Sequence, residues 1–557
     1  MKFKRILSLG LVLGLSVGML AGCGSSSSSS TPGTDGTKGT ENQSQGGTDE
    51  SQSQGGDVTK QLPEMTKDEI TLTYMNFDHE DLTKYLAEKF TELYPNIHVE
   101  VIYYPAGGID NVGYNDALYN QISTGNAPDC FMFLGNVDFM LNNAILGDMT
   151  EYWENDPENE NLLPSIEGAK IGYFGSYKMS TPMKFFPDAI YADISVYEAL
   201  NVELPSANWT WDEMVEKFKA TTGTANGLKY YGFNQYHNIV TYYPLASDPN
   251  TTGEFGFDGT KFDMTNWAKG TQALADLTNG GYIAPQTAEE RTAWVGADVW
   301  AAYTGQLGHQ VDAYWTYLNL FNTPEYRDKG MEWIMLPSPS VEGAEESYKF
   351  GVLDMGGIST STEHPREAYE LLKFMGWGAE GWKYKLEAYE TMLDSAGNPI
   401  WTASMPAPIT MDEDIWKEYQ TTFFPTAMEY DASSVADVWS LVSDETVKEG
   451  YTRYPKTDLD AKYGQYFDAY FEQVKQGCIP YGDTQIPGFA TFIAEQYWGD
   501  VAVETQIANG QSTASDWVEP LTTLANQYYQ DALQKMLDTY QAVGETWMTE
   551  EGVFGTK

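Results

Sequence analysis

ITLTYM, residues 70–75, opens the folded part of the sequence, and DLTKYLAEKFTEL, residues 81–93, follows it. The first run alternates apolar and polar side chains as a strand does, whereas the second places its apolar residues on one face of a helix. The same change then recurs, which indicates an α/β sheet with mostly parallel strands. The recurring segments are the predicted strand HVEVIY (98–103), the predicted helix YNDALYNQI (114–122) and the predicted buried strand CFMFL (130–134).

The loops that follow the first and the third of these strands are the first places to look for a binding site. In open α/β sheets, ligands lie outside the carboxyl ends of the strands, where the loops are. The first loop has the sequence NFDH at residues 76–79, and the second has GNVD at residues 135–138. Both contain a carboxylate and an amide, which can hydrogen-bond a ligand or cap the helix that follows.

Length and charge narrow the classes of function. The chain has 557 residues, which predicts more than one globular unit. It carries 80 Asp and Glu against 32 Lys and Arg, a net charge of −48, which argues against nucleic acid as a partner. Aromatic residues make up 14% of the chain, too many for a disordered acidic segment.

The N-terminus has the pattern of a lipoprotein signal peptide. Residues 1–22 contain a basic start and then an uncharged apolar run, 6–21, that is shorter than the roughly 20 residues a membrane span needs. The run ends in LAGC, residues 20–23, which resembles a bacterial lipobox with Cys23 as the lipidated residue. Residues 23–65 then contain mostly Ser, Gly and Thr, which predicts a flexible tether. We expect the protein on the extracellular face of a Gram-positive-type cell membrane.

Known metal and cofactor motifs do not occur in the sequence. The five His residues form no H-E-x-x-H, no C-x-x-C occurs, and no phosphate loop or dinucleotide fingerprint is present, so we predict no metal and no cofactor. The oxygen-rich segment 155–161 has the ligand types that calcium prefers but lacks the spacing of a calcium loop, so calcium binding there stays an open alternative. Apart from Cys23, the cysteines are Cys130 and Cys478, and we predict that both are free and buried.

A series of short blocks in a fixed order resembles the extracellular solute-binding proteins of family 1. The branch that it resembles most is that of the maltose-binding protein and other carbohydrate receptors of ABC importers. The blocks are LAEKF (86–90), YPNIHVEV (94–101), QISTGNAPD (121–129), LGDMT (146–150), WTWDE (209–213), LPSP (336–339), GGIS (356–359) and HPREA (364–368).

The resemblance implies an α/β, two-lobed periplasmic-binding-protein-like fold with hinge crossovers and a ligand cleft between the lobes. The expected N-terminal lobe contains residues 66–185 and 303–361. The expected C-terminal lobe contains residues 186–302 and 362–557. The expected crossings lie at residues 183–188, 302–305 and 357–361.

The resemblance also implies which residues of the N-terminal lobe and the first crossing contact the ligand. For Asp78, a cap on the helix that follows is an equally good explanation. The implied residues are Asn76, Phe77, Asp78, His79, Asn136, Asp138, Lys184 and Asp188.

A second set of ligand contacts is implied for the C-terminal lobe and the second crossing. The family often has a Trp just beyond that crossing, where this sequence has Leu307, and Trp300, Tyr314 or Trp315 can replace it. A lone histidine such as His237 is more often structural than a ligand contact. The implied residues are Tyr236, His237, Tyr303, Gln306, Tyr481 and Phe489.

The function implied by the resemblance is a monomeric, lipid-anchored receptor, not an enzyme, that captures a carbohydrate and delivers it to the permease of an ABC importer. An oligosaccharide is the expected ligand, and the acidic chain argues against an anionic one. Two alternatives stay open. One is a cell-surface enzyme acting on glycosides, because the 80 acidic residues supply many carboxylate pairs. The other is a glycan sensor or adhesin without a transport role, because a fold does not determine a function.

Overall fold

The strands and helices predicted for the first part of the chain are present in the computed structural model. The predicted signal peptide, Cys23 and the tether up to residue 59 lie outside the residues that the structure describes. The elements below belong to the unit Gln61–Lys557. The described residues are 60–106, 113–135, 137–164, 166, 170–235, 242–248, 251–313, 333–342, 349–395, 397, 400, 406–422, 459–476, 478–481, 485–498 and 502–555.

The strands are numbered here in chain order. They are β1 (Ile70–Asn76), β2 (Ile97–Tyr103), β3 (Cys130–Phe133), β4 (Tyr173–Phe174), β5 (Tyr177–Lys178), β6 (Thr181–Asp193), β7 (Gly223–Ala225), β8 (Leu228–Tyr230), β9 (Asn234–Gln235), β10 (His309–Ala313), β11 (Trp333–Leu336), β12 (Lys349–Ile358) and β13 (Cys478–Tyr481).

The helices are named by their bounds. Among the described residues, no helix has the length and apolar composition needed to span a bilayer. The α-helices are Glu80–Leu93, Tyr114–Ser123, Asp138–Asn142, Thr150–Asn155, Ile194–Leu200, Trp211–Ala220, Tyr242–Ser247, Thr265–Asn279, Ala288–Val295, Pro365–Met375, Ala379–Thr391, Glu413–Thr422, Leu459–Gln476, Phe489–Phe492, Val503–Ala508, Val518–Val543 and Glu550–Phe554. Single turns of 3₁₀-helix are Pro157–Asn161, Ala301–Thr304 and Ala514–Trp517, and Ile493–Tyr497 is a π-helical turn.

The main sheet has the strand order β2-β1-β3-β12-β6-β10-β9, with β11 also on β6 and β13 also on β12. As predicted, β1 pairs in parallel with β2 and β3. The prediction of a mostly parallel sheet is wrong for the central strands, because β12 runs antiparallel to β3 and β6, and β6 runs antiparallel to β10 and β11. The pairs β9–β10 and β12–β13 are parallel. Strand direction depends on which distant segments pair, and local periodicity does not report that.

One strand, β6, takes part in both halves of this sheet. Its residues up to Pro187 pair with β12, and its residues from Asp188 onward pair with β10 and β11. All 13 residues of the strand are buried. The expected first crossing, 183–188, lies inside β6, and the expected third crossing begins at the end of β12. The lobe boundaries themselves stay a prediction.

Two helices after β12 pack on the first strands of the chain. Pro365–Met375 lies against β3, β6 and β12, and both it and Ala379–Thr391 contact the helix Glu80–Leu93. The expected boundary at residue 361 would instead assign them to the C-terminal lobe. The physical reason for the observed packing is burial, since nearly every residue of Pro365–Met375 is covered.

The oxygen-rich segment 155–161 anchors one of these helices. The Asp156 carboxylate, 2% exposed, accepts hydrogen bonds from the Tyr369 hydroxyl at 3.1 Å and from Lys373 Nζ at 3.0 Å. Asn159 Oδ1 accepts from Trp377 Nε1 at 2.8 Å. Burial alone lowers the pKa of Lys373, but the carboxylates of Glu370 and Asp156 outweigh it and raise that pKa above its ordinary value. The segment therefore uses its oxygens to hold the helix Pro365–Met375.

The cysteine prediction is confirmed for Cys130. Its thiol is free and fully buried in β3, and burial raises its pKa well above the ordinary value. The side chain of Cys478 lies outside the described residues, so its state stays a prediction.

Replacing Lys373 by Met tests the anchoring of this helix. The variant leaves Asp156 buried without its cation, and we expect the free energy of unfolding to fall by about 3–5 kcal/mol. The matched control is Lys383→Met, which removes an exposed pair with Glu380 and changes stability by less than about 1 kcal/mol. Urea unfolding followed by tryptophan fluorescence measures both. Equal midpoints for the two variants would contradict the assignment.

Candidate ligand-binding site

The loop after β1 is built around a buried amide. Asn76 is fully buried, its Nδ2 donates to Thr83 Oγ1 at 3.2 Å, and its Oδ1 accepts from the Asp78 backbone at 3.1 Å. His79 occupies the N-cap position of the helix Glu80–Leu93, and no side chain caps that helix. The alternative explanation of Asp78 as the helix cap is therefore wrong. His79 Nε2 lies 3.9 Å from Asp394 Oδ2.

The Asp78 carboxylate instead forms an ion pair with β6. Lys184 Nζ lies 2.7 Å from Asp78 Oδ1, with the Lys184 side chain 9% exposed and the Asp78 side chain 28% exposed. Burial tends to raise the pKa of Asp78, but the Lys184 ammonium outweighs this and lowers it below the ordinary value. The same Nζ lies 5.1 Å from the centre of the Phe77 ring and 5.9 Å from that of Phe186. One ammonium thus joins a carboxylate and two aromatic rings.

The opposite strand adds a second carboxylate on the same face. Asp354 is the cross-strand partner of Lys184, and Val352 is that of Phe186. Directly opposed residues of an antiparallel pair share a face. Val352 and Asp354 are half-buried, whereas Leu353 between them is buried. The result is a surface, half-buried on the loop after β1 and on β12 and buried on β6, that we call the acidic–aromatic patch. Its residues are Phe77, Asp78, Lys184, Phe186, Val352 and Asp354.

A second lysine lies behind this patch. Lys385 is buried in the helix Ala379–Thr391, donates to the Gly376 carbonyl at 3.1 Å and lies 4.6 Å from the centre of the Trp382 ring. Burial lowers its pKa to about 7, against the opposing effect of Asp78. Burial also raises the pKa of Asp354 to about 6. The site is thus a cluster of two carboxylates and two amines at low exposure.

Sequence reasoning missed both Asp354 and Lys385. The available signal is a lone acid in the apolar run FGVLDMGGI, residues 350–358, and a lysine on the apolar face of a helix. Neither is specific, because a single charge inside an apolar segment can also point out of the sheet or extend to solvent.

The loop after β3 meets the chain before the helix Phe489–Phe492. Asp138 Oδ1 accepts from the Gly488 backbone at 2.8 Å, and Gln485 Nε2 donates to the Gly135 carbonyl at 2.9 Å. Burial raises the pKa of Asp138. Two regions that the resemblance assigned to different lobes are therefore in direct contact. Asn136 lies outside the described residues.

The other expected contacts of the first crossing and the C-terminus are buried or paired along the backbone. Asp188 is fully buried in β6 opposite Ala313. Phe489 is buried in an aromatic cluster, 5.3 Å from Phe255 and 5.9 Å from Phe262 between ring centres. The Tyr481 backbone pairs with Val352 beside the patch, and its side chain lies outside the described residues.

The remaining expected contacts lie near the second crossing. Tyr303 is partly buried, with its ring 5.1 Å from that of Trp300, and the carbonyl of Gln306 accepts from the Tyr231 backbone at 3.1 Å. Their roles as ligand contacts stay predictions. The residues that lie outside the described part of the chain are Tyr236, His237, Tyr314 and Trp315.

A family model described as bacterial extracellular solute-binding protein matches residues 77–376. The match extends over more than half of the chain and includes the loop after β1 together with β6 and β12. The chain belongs to this family. The resemblance inferred from the sequence blocks is confirmed.

Solved structures of solute-binding proteins share the fold at low sequence identity. The sugar-binding protein MalE from the phytopathogen Xanthomonas citri matches with a TM-score of 0.53 and 12% identity, over 86% of this chain and 100% of its own. An ABC substrate-binding protein from Listeria monocytogenes, in complex with cycloalternan, matches with a TM-score of 0.51 and 16% identity, over 83% and 99%. A sugar transporter from Rhizobium etli, in an open conformation, matches with a TM-score of 0.51 and 15% identity, over 82% of this chain and 99% of its own.

These matches confirm the predicted fold class, an α/β solute-binding-protein fold. Members of this family are extracellular binding proteins rather than enzymes. A comparison of the sequence with curated proteins finds no match. In this solute-binding protein, the acidic–aromatic patch lies on the long strands β6 and β12 and on the loop at the carboxyl end of β1, where ligands of open α/β sheets bind.

Replacing Lys184 by Met tests the central ion pair. The variant leaves Asp78 without its partner on β6, and we expect the free energy of unfolding at pH 7 to fall by about 1.5–3 kcal/mol. In the wild type the folded-state pKa of Asp78 is lowered, so its stabilising contribution is present above the unfolded pKa of about 3.9 and is lost as the pH falls through the folded value. In the variant that contribution is absent, and the pKa of Asp78 rises.

The matched control is Lys84→Met, which removes an exposed pair with Glu80 on the neighbouring helix. It is expected to leave stability almost unchanged, because exposed ion pairs contribute little. Urea unfolding at a series of pH values between 3 and 8 measures both variants. A Lys184→Met protein with the wild-type pH profile of stability would show that the ion pair does not hold the loop.

Proposed function

We propose that this solute-binding protein is a lipid-anchored receptor that captures a carbohydrate, an oligosaccharide rather than a single sugar unit, outside the cell and delivers it to an ABC importer. The acidic–aromatic patch is the observation that carries the proposal. Aromatic rings pack against the apolar faces of sugars, and carboxylates accept hydrogen bonds from their hydroxyls. Phe77 supplies a partly exposed ring beside the carboxylates of Asp78 and Asp354.

The structural neighbours support a sugar as the ligand class. Proteins of the same fold carry the names sugar-binding protein and sugar transporter, and one of them was solved with cycloalternan. Their low identity to this chain shows the fold alone. The class of ligand for this chain therefore depends on its own patch, which has the residue types that hydroxyl-rich ligands need.

The proposed mechanism is a population shift between an open and a closed state. A ligand that touches both expected lobes favours the closed state by its extra contacts there. In this chain, β6 and β12 connect the strands around the patch with the rest of the sheet, so they are the segments in which such a movement would be absorbed. The mechanism makes and breaks no covalent bond, and we propose no catalytic residue.

Capture at the patch is tested by calorimetry against a panel of neutral oligosaccharides. We expect one class of glycan to bind, and we expect Phe77→Ala to weaken it about tenfold, the equivalent of ~1.4 kcal/mol, because the stacking surface is lost. Phe554→Ala, at a half-buried ring in the C-terminal helix, is the matched control and should leave the affinity unchanged.

Two outcomes of this panel would contradict the proposed carbohydrate receptor. If no sugar binds while peptides or polyamines do, the ligand class is wrong. If a glycan is cleaved during the titration, the alternative of a surface enzyme is favoured, and chromatography of the mixture detects the products.

The anchor is tested separately by Cys23→Ala in the full-length chain. Without the cysteine of the LAGC motif no lipid is attached, so the roughly 40-residue tether no longer connects the domain to a lipid anchor. We expect the variant in the culture medium and the wild type in the membrane fraction, as measured by immunoblotting. Ser25→Ala, two residues downstream, is the control and should stay in the membrane fraction. A membrane-bound Cys23→Ala protein would contradict lipid anchoring.

A further inference from the structure

Asp354 differs from Asp78 and Lys184, the other charged residues of the patch, because those two form an ion pair with each other. Among the described residues, no side chain or backbone group hydrogen-bonds its carboxylate, and no cation lies within ion-pair distance of it. Its cross-strand neighbour Lys184 is instead directed to Asp78, at 2.7 Å. The Asp354 oxygens are therefore available as hydrogen-bond acceptors on a half-buried surface.

Holding a carboxylate in this way is unfavourable for folding. Removal from water disfavours the charged form, and Asp78 adds like-charge repulsion that Lys184 offsets only in part. Burial and the charge of Asp78 together outweigh the effect of Lys184 and raise the pKa of Asp354. A destabilising charge at a partly exposed surface is a common property of functional sites, because binding needs groups that folding stability does not.

The backbone at this point is also irregular. The register between β6 and β12 shifts directly after Asp354, since Asp354 pairs with Lys184 whereas Met355 pairs with Pro182. An irregularity of this kind changes the direction of the strand and of the side chains beside it, and it occurs often next to binding sites. It separates the half-buried Val352 and Asp354 from the fully covered Met355 and Gly356 that follow.

We propose that the Asp354 carboxylate accepts hydrogen bonds from two neighbouring hydroxyls of the bound carbohydrate and is a specificity-determining residue of the site. The inference rests on the proposed function and names the group that selects the ligand. A carboxylate with two free oxygens matches a pair of vicinal hydroxyls, each of which donates one hydrogen bond. Phe77 and Val352 provide the apolar surface beside it.

The charges around Asp354 determine how its binding role varies with pH. Asp78 faces it from the loop after β1 and Lys184 from β6, whereas Lys385 and Tyr389, on the helix Ala379–Thr391, interact with Asp78. Asp78 stays ionised because its pKa is lowered, and the pKa of Tyr389 is raised well above the range of the experiment. Asp354, with a pKa of about 6, and Lys385, with a pKa of about 7, are the members of this set that titrate between pH 5 and 8.

The sign of the expected pH effect follows from hydrogen bonding. Above pH 6 the carboxylate of Asp354 is ionised and accepts from both hydroxyls. As the pH falls through 6 it gains a proton and loses acceptor strength, so affinity for the glycan falls. Ligand hydroxyls favour the charged form, and binding near pH 6 therefore releases protons, which calorimetry in buffers of different ionisation enthalpy detects.

The test compares the wild type with Asp354→Asn by calorimetry, using the glycan that binds in the panel and its singly deoxygenated analogues. We expect the variant to bind the parent glycan about 10- to 100-fold more weakly, because a charged acceptor is replaced by a neutral amide. We expect the wild type to lose affinity between pH 7.5 and 5 with a component near pH 6, and the variant to lack that component.

The melting temperature separates a binding role from a structural one. Removing an unfavourable charge should leave Asp354→Asn at least as stable as the wild type at pH 7.5. Asp531→Asn, an exposed acid on the helix Val518–Val543, is the control and should change neither affinity nor the pH profile. If Asp354→Asn does not fold, the wild-type pH profile and its response to the deoxygenated analogues still decide the question.

The outcomes distinguish failure of this inference from failure of the proposed function. If the wild type binds a glycan but Asp354→Asn binds it equally well with the same pH profile, the role of Asp354 is overturned and the receptor remains. If the wild type binds no glycan at all, the proposed function and this inference are both overturned.

Discussion

Strand β6, Thr181–Asp193, is the constraint on which the rest of the structure depends. It hydrogen-bonds to β12 with its first half and to β10 and β11 with its second half, and all of its residues are buried. A strand covered on both faces needs apolar side chains, and most of β6 is apolar. The lysine inside it is therefore costly unless it is paired, and its pairing determines where the neighbouring loop can lie.

The pairing of Lys184 with Asp78 explains the geometry of the patch. The ammonium draws the loop after β1 onto the face of β6 and brings the Phe77 ring within 5.1 Å of the charge. Asp354 comes to the same face from β12 but finds no hydrogen-bond donor among the described residues. The same arrangement thus satisfies one carboxylate and leaves another available to a ligand, which links the stability of β6 and β12 to the proposed recognition of a carbohydrate.

Local sequence pattern was sufficient for the elements at the start of the chain. The alternation in residues 70–75 and the helical spacing in 81–93 appear as β1 and the helix Glu80–Leu93. The order of the sequence blocks was sufficient for the family, and the resemblance also pointed to Asp78 and Lys184. It could not indicate that Phe489 is packed against Phe255 and Phe262, because an aromatic residue before a helix has the same sequence signature whether it faces a cleft or a core.

The sequence by itself determined the charge of the chain, which follows from composition. It also determined the class of fold and the family, because periodicity and block order can be read along the sequence. Only the tertiary structure decided the direction of β6 and β12, the packing of Pro365–Met375 on the first strands, and the placing of Asp354 and Lys385 beside the Asp78–Lys184 pair. The exposure and the pKa of a carboxylate depend on neighbours that are hundreds of residues away along the chain. Strand pairing and burial determine those neighbours. Both act between distant segments, so the residue spacing within a single segment does not indicate them.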